Sequence, residues 1–468
     1  MSEITKTIKN SSSKNSAARK GASTKKLRFL TMVGVCIGVV IVQGSMISST
    51  QGIGMGGMAF IAAMLVAFVI AQFNAMSFSE LSLMFPNEGT LATYTQKAIG
   101  HFPAIVSVFS GYVVVAALAI PVEMFLVDAM LGQLFPNFAI GKAAPLLILL
   151  VLMVTNLIGA DIFAKVQNVL VLILVSALVI IGFSAATGAI SPHPQLTGET
   201  VDWGFENIFN GSFIGYVALA MWLMVGVEFI CPMINEVESP HRNIPRAMHC
   251  SLFLILTIFL LFAYGSTLYL NVETLTQSPI PYLDYANAVF GKSGLAIATI
   301  MGVAATCSTM NTVLASVPRM LHGMAEQKQA FPQLKAKNRF DAPWVGIVMM
   351  TLFIAIPYIV LDIDSLITLV IAATTCWLLA YIIAHIDVIV LRKRFPNIKR
   401  PYKTPLFPVP QVLGVVAMVY VILNNSPSPE MTSTVFSIAG GILLLISVIA
   451  AFWVKCYMKR GLFEADMD

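Results

Sequence analysis

Twelve apolar runs, most of them longer than twenty residues and nearly free of charge, fill almost all of this chain. A helix needs about 20 residues to cross the hydrocarbon core of a bilayer. Inside lipid every backbone group must find its partner within the protein, and unbroken apolar runs of this length can do so only as helices. The runs lie near 29–52, 57–80, 103–132, 144–160, 163–189, 210–234, 247–270, 289–316, 344–361, 364–390, 407–424 and 433–457. Of all residues 57% are hydrophobic and 11% charged. A typical soluble domain has roughly 25% charged residues. The fold class is therefore all-α integral membrane, with twelve transmembrane helices.

An even number of spans puts both termini on one face. Of the 28 Lys and Arg, only Lys142 and Lys292 then fall on the other face. Cations cluster on the cytoplasmic side of membranes, so both termini are expected there. The location is a cell membrane, the inner one in a bacterium. Residues 1–28 are rich in Ser and Lys and read as a disordered basic tail. No cleavable signal is visible, because the first run is too long and lacks a small-residue cleavage site. Residues 459–468 form a short second cytoplasmic tail.

The loops are short, and no soluble domain is inserted. The longest outer loop, 191–207, carries Trp203, Glu199, Asp202 and Glu206 and suits an interfacial cap. It separates five spans over 29–190 from five over 210–394, with two more over 400–458. The six cysteines form no CxxC pair, so neither a metal site nor a disulfide framework is indicated. No cofactor and no nucleic-acid partner is expected. The GxxxxGK[ST] loop of ATP-driven machines is absent.

Two spans look broken. In the first, Gln43, Gly44 and Ser45 interrupt an apolar run at mid-depth. In the sixth, WLMVGVEF (222–229) sets Glu228 two residues after Gly226. Irregular backbone survives at that depth only where it lines a cavity or is buried in protein. Interrupted helices at matching positions of two halves point to a transporter's binding site. Half-helix N-termini there can hold a carboxylate, and bare carbonyls an ammonium.

Several stretches resemble the amino acid–polyamine–organocation family of secondary transporters. WLMVGVEF with NEVESPHRNIPRAM (235–248) is similar to the family's sixth helix and following loop. FSELSLMFPNEGTLATYTQKAIG (78–100) resembles its second-to-third helix junction, AKVQNVLVLILVSALVIIGF (164–183) its fifth helix, and RPYKTPLFPVP (400–410) the entry to its eleventh. The resemblance implies a five-plus-five inverted repeat with broken first and sixth helices and alternating access. It implies a substrate site at Gln43, Gly44, Ser45 and Met46, where relatives carry a glycine-rich triplet that holds the substrate carboxylate. This chain departs from two glycines flanking a small residue, which weakens the case for a bound carboxylate. In the sixth helix it implies a gate at Trp222, carbonyls of Leu223, Met224 and Val225 for the substrate amine, and a break at Gly226. Ile120 and Glu123 fall on a stretch of the third helix that lines the cavity in relatives. Asn311 and Val313 fall near the eighth helix's contact with substrate.

The buried acids have two readings each. Glu228 is either a protonatable carboxylate beside the site, marked as functional by its cost in the membrane, or a partner for amides freed by the break. Glu123 is either an acid facing the cavity, for a cationic group or a proton, or one paired with a neighbouring helix. Asp128 belongs to an outer vestibule or interface. Relatives coupled to protons often carry a lysine in the fifth helix, where this chain has Leu174. Coupling then rests on Glu228 or Glu123, or the protein exchanges substrates. A sodium site would draw on Thr306, Ser308, Thr309 and Thr312, although such hydroxyls commonly bond to the preceding helical turn. Glu80 suggests a cytoplasmic gate or its packing. His385 and Asp387 read as a solvated helix end, and His101, His241 and His322 lack ligand-like spacing.

The reading is a permease, a secondary active transporter that takes an amino acid or related small amine by proton symport or exchange. It is not an enzyme, and it works as a monomer or homodimer. The alternative is a polyamine or organic-amine carrier of the same fold. A nutrient sensor is a further rival, but no signalling domain is visible.

Overall fold

The computed structural model describes residues 26–135, 141–209, 211–426 and 428–466. Nearly all of the basic tail expected over 1–28 lies outside the described residues. In chain order the helices are α1 (Phe29–Val40), α2 (Gln43–Met84), α3 (Leu91–Ala98), α4 (His101–Leu134), α5 (Ala143–Leu157), α6 (Ala160–Thr187), α7 (Phe213–Met221), α8 (Pro240–Thr267), α9 (Val272–Gln277), α10 (Pro281–Phe290), α11 (Lys292–Glu326), α12 (Trp344–Val360), α13 (Ile363–Arg394), α14 (Val409–Leu423) and α15 (Pro429–Met458). Seven of them, α2, α4, α6, α8, α11, α13 and α15, are long and apolar enough to cross a membrane. The shorter apolar helices α1, α5, α12 and α14 fall in four of the other five expected runs, and the sixth run, 210–234, holds α7 and a 3₁₀ stretch over Val227–Glu236. Among the described residues the one extended pairing is a bridge between Leu27 and Val237.

The first two expected spans meet inside α2. Gly57 has φ +48° and ψ −123°, so the helix is kinked there rather than running on as one rod. A side chain at this position would overlap the Asp202 carbonyl, which accepts the Met58 amide at 3.1 Å. Glycine tolerates both the left-handed φ and the close approach. The loop over 191–207 is thereby pinned against the turn at Gly57.

Burial distinguishes the centre from the rim. Every residue of α11 from Ala304 to Ala325 is buried, although the helix carries Ser, Thr, Asn, Arg and His. A helix buried all round sits at the heart of a bundle, and α11 packs on α1, α4, α5, α6, α10 and α12. By contrast α15 buries only Val435, Ala439, Ala450 and Val454 and exposes Leu444 and Phe452. Such a face suits lipid. Where helices cross closely the residues are small: a Cβ on Gly111 would press on Ala380, as expected where association relies on close packing.

Candidate functional site

The backbone breaks of the first and sixth segments face one cavity. α1 ends at Val40, Ile41 and Val42 are extended, and α2 starts at Gln43. The interruption therefore lies two residues before the expected Gln43–Ser45, which form the first turn of the next half-helix. A helix start leaves its first amides without intrahelical partners. Here Gln43 N and Gly44 N donate to the two carboxylate oxygens of Glu123, each at 3.0 Å. Ser45 Oγ accepts the Val42 amide at 2.9 Å.

Glu123 is gripped from further sides. Thr306 Oγ1 donates to its Oε2 at 3.2 Å. The Gln43 side-chain amide donates to Thr306 Oγ1 at 2.7 Å and to the Glu123 carbonyl at 3.2 Å. Tyr282 donates to Gln43 Oε1 at 2.6 Å. Three helices, α2, α4 and α11, thus meet at one carboxylate, and α10 braces them through Tyr282 on Gln43. Its negative charge lies at the positive end of a helix, where the dipole favours an anion.

The sixth segment breaks at Gly226. α7 stops at Met221, Gly226 has φ +119°, and a 3₁₀ helix follows over Val227–Glu236. The Gly226 amide donates to Tyr381 Oη at 3.2 Å, and Tyr381 donates on to Glu228 Oε1 at 2.8 Å. Tyr112 adds a longer bond to the same oxygen at 3.4 Å. Glu228 is buried among tyrosines that tie it to the break.

Between the breaks lies a cavity of about 260 Å³. Of the expected residues, Gly44, Ser45, Ile120, Glu123, Trp222 and Val225 line it, and so does Val313. Gln43 supports it from behind through Glu123. Met46, Leu223 and Met224 are buried beside it without lining it, and Glu228 lies outside the lining too. Asn311 turns elsewhere. Its amide donates to the Phe163 carbonyl at 3.3 Å and to Gln167 Oε1 at 2.9 Å, and its oxygen accepts Asn156 Nδ2 at 2.9 Å.

Other residues complete the site. Tyr112, Phe229 and Trp377 form its aromatic wall, with Tyr112 and Phe229 rings 5.5 Å apart. Gln167 of α6 donates to Ser308 Oγ at 2.7 Å and to the Gly34 carbonyl at 3.4 Å, joining α1, α6 and α11. Its polarity within an apolar run was the available signal, two helical turns before Leu174, which is buried. The α11 hydroxyls are mostly engaged. Thr306 serves Glu123, Ser308 accepts from Gln167, and Thr309 donates to the Gly38 carbonyl at 2.9 Å.

The cation-rich end is laced by ion pairs. Arg319 grips Glu236 through two nitrogens at 3.0 and 3.1 Å, beside the Leu27–Val237 bridge. Glu80 receives Arg392 at 2.6 Å and Arg400 at 3.3 Å. Glu88, in the loop after α2, meets His322 at 3.1 Å and Lys337 at 3.4 Å. Burial opposes ionisation of Glu88, but His322, Lys337 and Asn235 together hold its carboxyl down to about 2.

Comparison with known proteins agrees with this architecture. The human cystine/glutamate transporter is 25% identical over 450 residues, covering 92% of this chain and 85% of its own. The Bacillus subtilis serine/threonine exchanger SteT is 21% identical, covering 85% and 90%. The branched-chain amino acid permease BcaP of the same organism is 24% identical, covering 84% and 86%. Among solved structures, a mutant of the Eremococcus coleocola manganese transporter superposes with a TM-score of 0.59 at 14% identity, covering 90% and 93%. That likeness concerns the fold. The family model described as amino acid permease matches residues 27–452, a stretch holding both breaks and every apolar run but the last few residues of the twelfth. With its apolar helices and facing breaks, this chain is a multi-pass membrane protein and belongs to the amino acid permease family.

Proposed function

We propose that the protein is a secondary active transporter that carries an amino acid or related small amine by alternating access around the cavity between α1–α2 and α7. The observation carrying this reading is the meeting of two mid-membrane backbone breaks at one cavity, where dipoles and bare carbonyls can replace a solute's water. The named relatives, a serine/threonine exchanger and a branched-chain permease among them, point toward amino-acid-like solutes. On this reading twelve spans form a five-plus-five inverted repeat over 29–190 and 210–394, with accessory helices over 400–458. Both termini face the cytoplasm, and the unit is a monomer or homodimer.

Coupling by proton symport or by exchange is assigned to the acids, Glu228 and Glu123. The middle of the fifth helix carries Leu174 where proton-coupled relatives often have a lysine, and the side chain joining α1 to α11 is the amide of Gln167, which does not ionise. Trp222 is the gate beside the cavity. Purified protein in liposomes, assayed for uptake and counterflow with labelled amino acids and amines, tests the proposal. Saturable uptake driven by a proton gradient or by internal substrate is expected. No solute-dependent flux across the panel would overturn it.

A further inference from the structure

We infer that the transported solute is a monoamine with an apolar body and no carboxylate, because Glu123 fills the seat that a solute's carboxylate would need. This rests on reading the cavity as the transport site and narrows the solute it takes.

The anion seat is occupied from within. Of the amides opened by the first break, those of Gln43 and Gly44 already hold both oxygens of Glu123 at 3.0 Å. The carboxylate is not loosely parked. Thr306 bonds it, and Gln43 braces both Thr306 and the Glu123 backbone while Tyr282 braces Gln43. Displacing it would orphan several buried polar groups at once, each costly in an apolar setting. An incoming carboxylate would also meet the like charge of Glu123 across a medium of low dielectric.

The cavity already holds a partner for a cation. The carbonyls of Leu223 and Met224, freed by the second break, accept no hydrogen bond among the described residues, but they lie beside the cavity and not in its lining. Glu123 lines the cavity together with Gly44 and Ser45, and it is the one carboxylate among the lining residues. An ammonium placed there gains a charge partner, and Trp222, Trp377, Phe229 and Tyr112 bring aromatic rings, which attract cations, to the same lining. The asymmetry favours a cation.

The cavity also limits the rest of the molecule. Valine, alanine and isoleucine make up much of its wall, and Glu228 lies outside the lining. A second ammonium would therefore be buried without a partner, at a cost of several kcal/mol. The volume, about 260 Å³, is several times the roughly 30 Å³ share of one water, enough for an arylalkyl or branched alkyl amine.

The test compares matched pairs on the full-length protein in lipid nanodiscs. Phenethylamine is set against phenylalanine, isoamylamine against leucine, and putrescine serves as the diamine. Both monoamines should bind about tenfold or more tightly than their parent amino acids and than putrescine, the scale of one charge-assisted bond. Glu123→Gln, close to isosteric, should cost the monoamines about tenfold. Glu123→Ala frees the Gln43 and Gly44 amides and should raise affinity for the amino acids. Amino acids that bind wild-type protein as tightly as their amines would overturn the inference while leaving the transport reading intact. Putrescine binding as well as phenethylamine would also overturn it. Flux or binding of no compound at all removes both readings.

Discussion

Gln167 carries a prediction whose size can be worked from its contacts. Replacing it by leucine keeps most of the volume and removes the amide between α1, α6 and α11. Two good bonds vanish, the donation to Ser308 at 2.7 Å and the acceptance from Asn311 at 2.9 Å. Hydrogen bonds between membrane helices average about 0.6 kcal/mol and reach ~1.7. Two of them amount to about 1–3 kcal/mol. The orphan cost is softened, because Asn311 keeps the Phe163 carbonyl at 3.3 Å and Ser308 can turn to its own helix. A total loss of about 1–3 kcal/mol in unfolding free energy is expected for Gln167→Leu.

The assay is equilibrium unfolding in mixed detergent micelles, run as a double-mutant cycle with Ser308→Ala. Residues in direct contact should couple by at least about 0.5 kcal/mol. No group in this trio ionises, so the result should be the same at pH 6 and pH 8. If the α11 hydroxyls instead served a sodium ion, sodium would stabilise the wild type by mass action, and no such shift is expected. A coupling below about 0.3 kcal/mol, within the scatter of independent sites, would refute the bridging role.

The other predictions concern the cavity and the cationic end. Glu228→Gln should flatten the pH dependence of uptake in liposomes, and an unchanged profile removes Glu228 from coupling. Trp222→Ala should raise the apparent substrate constant about fivefold or more, as loss of a gating ring contact of ~1 kcal/mol implies. Normal kinetics would leave the ring as wall only. Glu88 should stabilise the cation-rich end in a pH-dependent way. Its folded value of about 2 lies below its ordinary 4.5. Its contribution is therefore complete above about 4.5 and lost as pH falls toward 2. The melting temperatures of wild type and Glu88→Gln should converge across that window, and a constant gap would sink the assignment.

Much of the architecture was legible because its signals are local. The length of the apolar runs fixes helices in lipid, whatever their neighbours. Gly226 announced the second break, since a left-handed backbone within an apolar run calls for glycine. The first break was legible only to within two residues. The half-helix starts at Gln43, so the polar triplet belongs to the new helix's first turn rather than to the gap. Ser45 explains this, since its hydroxyl caps Val42.

The site itself depended on packing. Glu123 meets amides 80 and 79 positions away, and Thr306 meets Gln43 across 263. No periodicity encodes such partners. The two placements of Glu123 open at the sequence level, facing a cavity and paired with a neighbouring helix, are compatible, because one carboxylate can line a cavity while its oxygens are bonded at the rim. Glu228 and Asn311, equally polar within apolar runs, were drawn away from the lining by Tyr381 and Tyr112 in one case and by Gln167 and Asn156 in the other. Hydropathy, charge placement and glycine determined on their own that this chain crosses a membrane many times and breaks its helices within apolar runs. Only the tertiary structure decided which buried polar group lines the cavity and which is consumed by its neighbours, because a hydrogen bond is settled by three-dimensional reach and not by sequence distance.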